Sequence, residues 1–389
     1  MEGSVGNSTK STKGSEAARI RRVVVKIGTS TLTDDQGKLD LAYIEGLAAE
    51  MQELRAQGCE LILVSSGAIA AGLEALGMST ERPEHLPILQ AAAAVGQLEL
   101  SQVYLRAFAK QGVRLAQVLL TRFEIENRTT YLHARDTLEK LLELGTVPLV
   151  NENDTVAVEE IRFGDNDTLA AQVAILIKAD LAVILSDIEG LYTADPRIDE
   201  DAELLESVAS FTKEIVDSAG EAGSSRGSGG MVTKLEAARM LMAANIPLVI
   251  CEGRHPGAVA DAVRGGRVGT RFARPTNGRQ ASARKLWLAL SGSAKGIVFI
   301  DDGAALALRG AGGSLLSVGV RRVEGLFEAG QPVDIRTLDG FLIGRGISGY
   351  STEELELAAE HNSSELSGDG RLAHLARTPV IHRDQMVIF

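Results

Sequence analysis

Residues 23–33 read VVVKIGTSTLT. Three valines and an isoleucine around one lysine make a continuous apolar run rather than an alternating one, the pattern of a strand covered on both faces. A lysine at the end of such a run is costly unless it meets an anion. Gly28 lets backbone N–H groups come close to a ligand, and the hydroxyls of Thr29, Ser30 and Thr31 add donors. Taken alone, the same residues could be a lysine snorkelling past a sheet edge with a polar turn behind it.

Working outward, similar apolar runs occupy 61–64, 115–120, 147–150, 181–185 and 247–250. Between them lie amphipathic stretches. In the first, Leu41, Ile44, Leu47, Met51 and Leu54 recur at helical spacing, with Asp40 placed as an N-cap and Gly58 as a stop. Others run near 91–111, 131–144, 169–179 and 234–244. Strands alternating with helices predict an α/β domain around a mainly parallel sheet. The texture changes at 264–281, which is rich in Gly and Arg, contains Pro275 and reads as a linker. Short β-like pieces follow at 286–290, 296–300, 315–320, 332–337 and 341–343, without helices between them, which predicts a small barrel or sandwich. A helix is expected at 353–360.

Ligands of open parallel sheets bind beyond the carboxyl ends of the strands, and the unusual residue groups of this chain fall there. After the second run comes Ser65-Ser66-Gly67-Ala68, a small-residue turn before a helix N-terminus, suited to phosphate or carboxylate. After 147–150 comes Asn151-Glu152-Asn153-Asp154-Thr155, and soon after it Gly164-Asp165-Asn166-Asp167-Thr168 opens a helix. Capping explains one of these carboxylates, but two acidic-amide clusters so close together point to substrate or Mg²⁺-linked chemistry. Ser186 and Asp187 end the fifth run, ahead of Gly190-Leu191-Tyr192. Finally, Gly227-Ser228-Gly229-Gly230-Met231-Val232-Thr233-Lys234 offers a backbone cradle and a positive charge. It lacks the Gly-Lys-Ser/Thr ending of a Walker A loop. Gly344-Arg345-Gly346-Ile347-Ser348-Gly349 fits GxGxxG, yet too little chain follows for a dinucleotide-binding half, so these are turn glycines.

Two lysines, two glycine-rich turns and several strand-end carboxylates describe phosphoryl transfer, in which positioning and charge neutralisation dominate. None of these groups contains a histidine. A carboxylate acceptor needs no general base, because its pKa of about 4.3 leaves it ionised at neutral pH. Formation of an acyl phosphate therefore fits better than phosphorylation of a hydroxyl.

The bulk properties agree. The chain has 389 residues, 45% of them hydrophobic, enough for two domains and a sizeable core. Its net charge of −12 argues against nucleic acid as the main partner. Cys59 and Cys251 border apolar runs and read as free thiols, which fits a reducing cytoplasm. Residues 1–19 read as a disordered tail without the apolar core of a signal peptide, and no later stretch approaches a membrane span.

With VVVKIGTSTLT, LVSSGAIAAG, LVNENDTVA, FGDNDTLAA, LSDIEGLYTADP and GSGGMVTKLEAA in that order, the chain resembles the amino-acid kinase family, and within it the enzymes that act on glutamate. The resemblance implies a three-layer αβα sandwich over 20–270, a linker at 271–283, a small β-barrel resembling a PUA domain at 284–362 and a tail at 363–389. It implies ATP-dependent phosphorylation of the side-chain carboxylate of L-glutamate in proline biosynthesis. Mg²⁺ is expected through the ATP phosphates, with no direct metal ligand assigned. Lys26 and Lys234 would contact the ATP phosphates, and Asp165 would organise the lysines or Mg²⁺. Ser186 and Asp187 would lie at the nucleotide, with Ser228, Gly229, Gly230, Met231, Val232, Thr233 and Lys234 forming a loop over it. Ser66, Asp154 and Asn166 match glutamate-binding positions, with Asp167 supporting them. Proline as feedback inhibitor, a homo-oligomer (dimer or tetramer) and a cytoplasmic location are also implied. The competing readings are a kinase of aspartate or N-acetylglutamate, and an RNA-binding or RNA-modifying protein acting through the PUA-like module. A carboxylate at Asp154 suits a free α-ammonium and suits the blocked amine of N-acetylglutamate poorly.

Overall fold

The computed structural model describes residues 20–78, 83, 85–157, 166–196, 198–220, 230–272, 294–359 and 378–389. The first unit is built on an eight-stranded sheet. Its strands are β1 (Arg22–Ile27), β2 (Glu60–Ser65), β3 (Leu115–Leu120), β4 (Val147–Glu152), β5 (Leu181–Ser186), β6 (Ser207–Val208), β7 (Leu248–Glu252) and β8 (Thr270–Phe272). Their spatial order is β3-β4-β2-β1-β5-β7-β8-β6, and every pairing is parallel except that of β7 with β8.

Six of these strands coincide with the apolar runs, while β6 and β8 do not; β1, β2, β4, β5 and β7 bury both faces, and β3, at the sheet edge, is only partly buried. Along β1, Val23 and Val25 enter a core shared with α2 (Leu41–Ala56) and α4 (Leu86–Lys110). Val24 points the other way, into a core with α6 (Arg128–Glu143), α7 (Asn166–Leu176) and α9 (Met231–Ala243). The period-2 alternation of side chains thus produces the three-layer αβα sandwich. Asp40 caps α2 as expected, its carboxylate accepting the Tyr43 N–H at 3.0 Å. Every residue of α7 except the partly exposed Thr168 is buried, so this helix has no solvent stripe.

Two further helices matter to the site. The helix α3 (Ala68–Ala75) crosses α4 with no side chain between them. A Cβ on Gly72 would stand 1.8 Å from the Ala92 oxygen, and one on Gly96 would stand 1.8 Å from the Ala68 oxygen. Only glycine permits this backbone-to-backbone approach.

The second unit is a five-stranded mixed sheet. It contains β9 (Gly296–Ile300), β10 (Val320–Gly325), β11 (Pro332–Thr337), β12 (Leu342–Ile347) and β13 (Met386–Ile388), in the order β10-β9-β11-β12-β13. It departs from the sequence expectation in three places. A helix, Asp302–Ala311, separates β9 from β10, with Asp301 as its N-cap. Residues 317–319 form a 3₁₀ turn rather than a strand. The last residues are not a free tail, because β13 pairs antiparallel with β12. Gly344 and Gly346 lie in β12, where a Cβ would meet the Val387 oxygen at 2.3 Å and Ile381 Cγ2 at 2.5 Å respectively. They are packing glycines within a strand, not the turn glycines expected, and no nucleotide fold surrounds them. The helix expected at 353–360 is present as Thr352–Ala359. The expected strand at 286–290, the tail 1–19 and the linker beyond β8 lie outside the described residues.

The units touch along α9. Lys213 Nζ and Asp339 Oδ2 are 2.8 Å apart. The Arg239 guanidinium, on α9, lies 5.1 Å from the Phe211 ring of the first unit and 5.8 Å from the Phe341 ring of the second. No helix among the described residues is long and apolar enough to cross a membrane.

Candidate active site

The carboxyl ends of β4, β2, β1 and β5 lie side by side in the centre of the sheet. Lys26 ends up on the same face as Val24, toward α7 and α9, because the strand alternates. It is only 5% exposed, as is Lys234 on the first turn of α9. Neither is a snorkelling surface lysine: each ammonium meets one carboxylate oxygen of Asp167. Lys26 Nζ is 2.5 Å from Oδ1 and Lys234 Nζ 3.2 Å from Oδ2. The Thr233 hydroxyl lies 3.2 Å from the same Oδ2 and 2.8 Å from the Gly230 oxygen.

Asp167 is fully buried. Burial alone would raise its pKa, but the two adjacent ammonium groups outweigh it and hold the carboxyl below the usual range. The carboxylate therefore stays charged, and the triad carries one net positive charge in a dry setting. This arrangement is suited to the negative charge of a transferring phosphoryl group. The placement also bears on the role expected of Asp167. Asp165, expected to organise the lysines, lies outside the described residues. Asp167, expected on the substrate side, is the residue between them.

Across from the lysines lies a buried polar network. Asn166 opens α7 and donates through Nδ2 to the Ser65 carbonyl at 2.7 Å and to Asn151 Oδ1 at 2.8 Å. Asn151 Oδ1 also accepts the Glu152 N–H at 2.9 Å, while Asn151 Nδ2 donates to Gln97 Oε1 at 2.7 Å. The Ser65 hydroxyl is 3.0 Å from the Tyr104 hydroxyl. Ser66 follows at the end of β2, its N–H held by the Ile27 oxygen at 3.1 Å. Gly67 then takes a left-handed φ of 98° to start α3, a conformation that favours glycine. Asp154 sits half-buried in the turn beyond β4. The two acidic-amide segments of the sequence thus converge, with Asn151 and Asn166 in direct contact.

On the other flank, Ser186 is buried at the end of β5 and its hydroxyl reaches Asp187 Oδ1 at 3.1 Å. Asp187 itself is exposed. Gly190 packs against Thr270, whose hydroxyl accepts the Leu191 N–H at 2.8 Å. Gly230 precedes α9, Met231 is buried and Val232 is half exposed. Ser228 and Gly229 lie outside the described residues. The Gly28 N–H is not available to a ligand, since it donates to the Leu185 oxygen at 3.3 Å. Its lack of a side chain keeps the approach to Lys26 open, because a Cβ there would stand 3.7 Å from Nζ. Among the described residues no group of three or more His, Cys, Asp or Glu could hold a metal ion.

Gln97 and Tyr104 were not singled out in the sequence. Both lie on α4, far along the chain from the strand ends they serve, and the only signal is a polar residue after Gly96 in an Ala-rich helix.

Comparison with known proteins agrees with this geometry. Residues 21–252 match the amino acid kinase family and residues 296–368 match the PUA domain. The glutamate 5-kinase of Trichlorobacter lovleyi is 46% identical over 95% of this chain and 97% of its own length. That of Citrifermentans bemidjiense is 43% identical over 95% and 98%, and that of Chromobacterium violaceum 46% over 94% and 97%. The chain, which resembles glutamate 5-kinases along nearly its whole length and carries a PUA domain after the kinase unit, belongs to the amino acid kinase family.

Proposed function

We propose that this chain transfers the γ-phosphoryl group of ATP to the side-chain carboxylate of L-glutamate, giving L-glutamyl 5-phosphate and ADP, the first step of proline biosynthesis. The observation that carries the reading is the buried Lys26–Asp167–Lys234 triad, set between the nucleotide flank at Ser186 and the amide network at Asn151 and Asn166. Asp167 holds the two ammonium groups in place before substrates arrive, so little reorganisation is needed as charge moves onto the transferring group. No side chain has to remove a proton, because the acceptor is already ionised.

Ser66, Asp154 and Asn166 are the proposed glutamate contacts, with Asp154 opposite the α-ammonium. Lys26, Ser186, Asp187 and the segment from Ser228 to Lys234 are the proposed nucleotide contacts, and Asp165 stands near the phosphates. With both oxygens of Asp167 engaged by lysines, Mg²⁺ fits best on the ATP phosphates, where it would neutralise charge between the β- and γ-phosphoryl groups. A cytoplasmic location, a homo-oligomeric assembly and inhibition by proline at or overlapping the glutamate site complete the proposal. Support for the location comes from the low cysteine content, two in 389 residues.

The test is ADP release with ATP, Mg²⁺ and L-glutamate, with hydroxylamine to trap the acyl phosphate. Glutamate-dependent hydroxamate, lost in Lys234→Ala, is the expected result. Turnover with aspartate or N-acetylglutamate but not glutamate would overturn the substrate while keeping the chemistry.

A further inference from the structure

We propose that Gln97 is a positioning residue that holds the Asn151–Asn166 amide pair in the placement that turns Asn166 Oδ1 to the substrate, and so supports selectivity for a ligand carrying an ammonium group. The proposal rests on the glutamate reading above and deepens it.

A side-chain amide can present either its oxygen or its NH₂ group, and only its partners decide which. Here backbone groups of unambiguous polarity decide. The Ser65 carbonyl can only accept, so the Asn166 atom 2.7 Å from it is the amide nitrogen. The Glu152 N–H can only donate, so the Asn151 atom 2.9 Å from it is the amide oxygen. That oxygen also takes the second hydrogen of Asn166 Nδ2, at 2.8 Å. Both donors of Asn166 are then used within the protein. Its Oδ1, an acceptor, is the amide atom left for a ligand. An amino acid's α-ammonium matches it and a carboxylate does not.

This arrangement leaves Asn151 Nδ2 pointing at α4. Asn151 is 2% exposed, and a buried N–H without an acceptor is strongly disfavoured. Gln97 Oε1 supplies that acceptor at 2.7 Å, and Gln97 Nε2 in turn reaches the Ser101 hydroxyl at 3.2 Å. The residue before Gln97 is Gly96, whose contact with the Ala68 oxygen brings α4 close enough for the bond. Without an acceptor at position 97, Asn151 Nδ2 is left unpaired, and turning the amide over is barred because its NH₂ would face the Glu152 N–H. Asn151 must instead swing away to find another acceptor, which releases the second hydrogen of Asn166 Nδ2, and Asn166 Oδ1 is no longer held toward the substrate.

The experiment compares the intact chain with Gln97→Met, which removes the acceptor, and Gln97→Glu, which keeps it. Readouts are kcat, KM for L-glutamate, KM for ATP, and the Ki of glutarate, which has both carboxylates but no ammonium. Gln97→Met should raise KM for glutamate by roughly tenfold, the loss expected for one buried hydrogen bond, and leave the glutarate Ki and KM for ATP within about twofold. Gln97→Glu should keep the glutamate-to-glutarate preference within about threefold of the intact chain. If Gln97→Met does not fold, Gln97→Asn, which withdraws the acceptor by one methylene, reads the same ratio. Equal weakening of glutamate and glutarate, or a Gln97→Glu variant as impaired as Gln97→Met, would overturn the proposal. Absence of glutamate turnover in the intact chain would overturn the substrate reading and this inference with it.

Discussion

Replacing Asp167 by Asn tests the centre of the site most directly. The side chain keeps its size, but the carboxylate between two buried ammonium groups becomes an amide. Its oxygen can still accept from one lysine, while its NH₂ group must face the other, donor against donor. Asp167 is fully buried and both lysine side chains are 6% exposed, so solvent cannot screen the result as it would at the surface. Removing one partner of such a buried group costs about 3–5 kcal/mol. For a unit of this size each kcal/mol lowers the melting temperature by about 2–4 °C, so a fall of roughly 6–20 °C is expected. Loss of the fixed lysine positions should lower kcat by roughly 10²-fold or more. The sign of the pH dependence follows from the depressed carboxyl. Its stabilisation is complete above the ordinary value of 3.8 and is lost as pH falls below it toward the folded value. Thermal melts of the two proteins should therefore differ most at neutral pH and converge in acid. A variant with kcat within about threefold of the intact chain and an unchanged melting temperature would refute this account of the triad.

Three further outcomes are expected. Asp154→Asn should raise KM for glutamate by roughly tenfold or more while KM for ATP moves by less than about twofold; equal changes would remove its role opposite the α-ammonium. Gly96→Ala places a methyl 1.8 Å from the Ala68 oxygen, so α3 and α4 must separate. The melting temperature should then fall by the equivalent of about 1–3 kcal/mol or more, with KM for glutamate rising as the Gln97 contact loosens. In the second unit, residues 284–360 carry eight Lys/Arg and ten Asp/Glu, so a gel-shift at low salt should show no tight RNA binding; a tight complex would reverse the non-nucleic-acid reading of this unit.

How much of this was legible in the sequence depended on the range of the interaction. Strands such as 23–27 and 181–185 were readable because burial on both faces leaves a local mark, a run of β-branched and leucine residues. Asp40 was readable as a cap because capping is decided within three residues. The place of Asp167 between two lysines was not. Lys26 and Lys234 lie 141 and 67 positions from it, and no local pattern marks the pairing. The Gln97–Asn151 bond spans 54 positions, and nothing local marks either end. In the second unit the 302–311 helix was missed because its apolar residues run together at 304–308 without helical spacing, between Gly303 and Gly310. The final strand was missed because its partner, β12, lies some forty residues earlier.

The setting of α9 constrains how the site can move. Near its start Lys234 is tied to Asp167. Five residues later, about 7.5 Å along the axis, Arg239 is wedged between an aromatic ring of each unit. A rod fastened at two such points can neither slide nor roll without breaking one of them. The ammonium of Lys234 is therefore held at rest from both sides. The fastening also makes the second sheet part of the frame that holds this lysine, so the aromatic clamp on Arg239 sets the stiffness of α9 from outside the kinase unit.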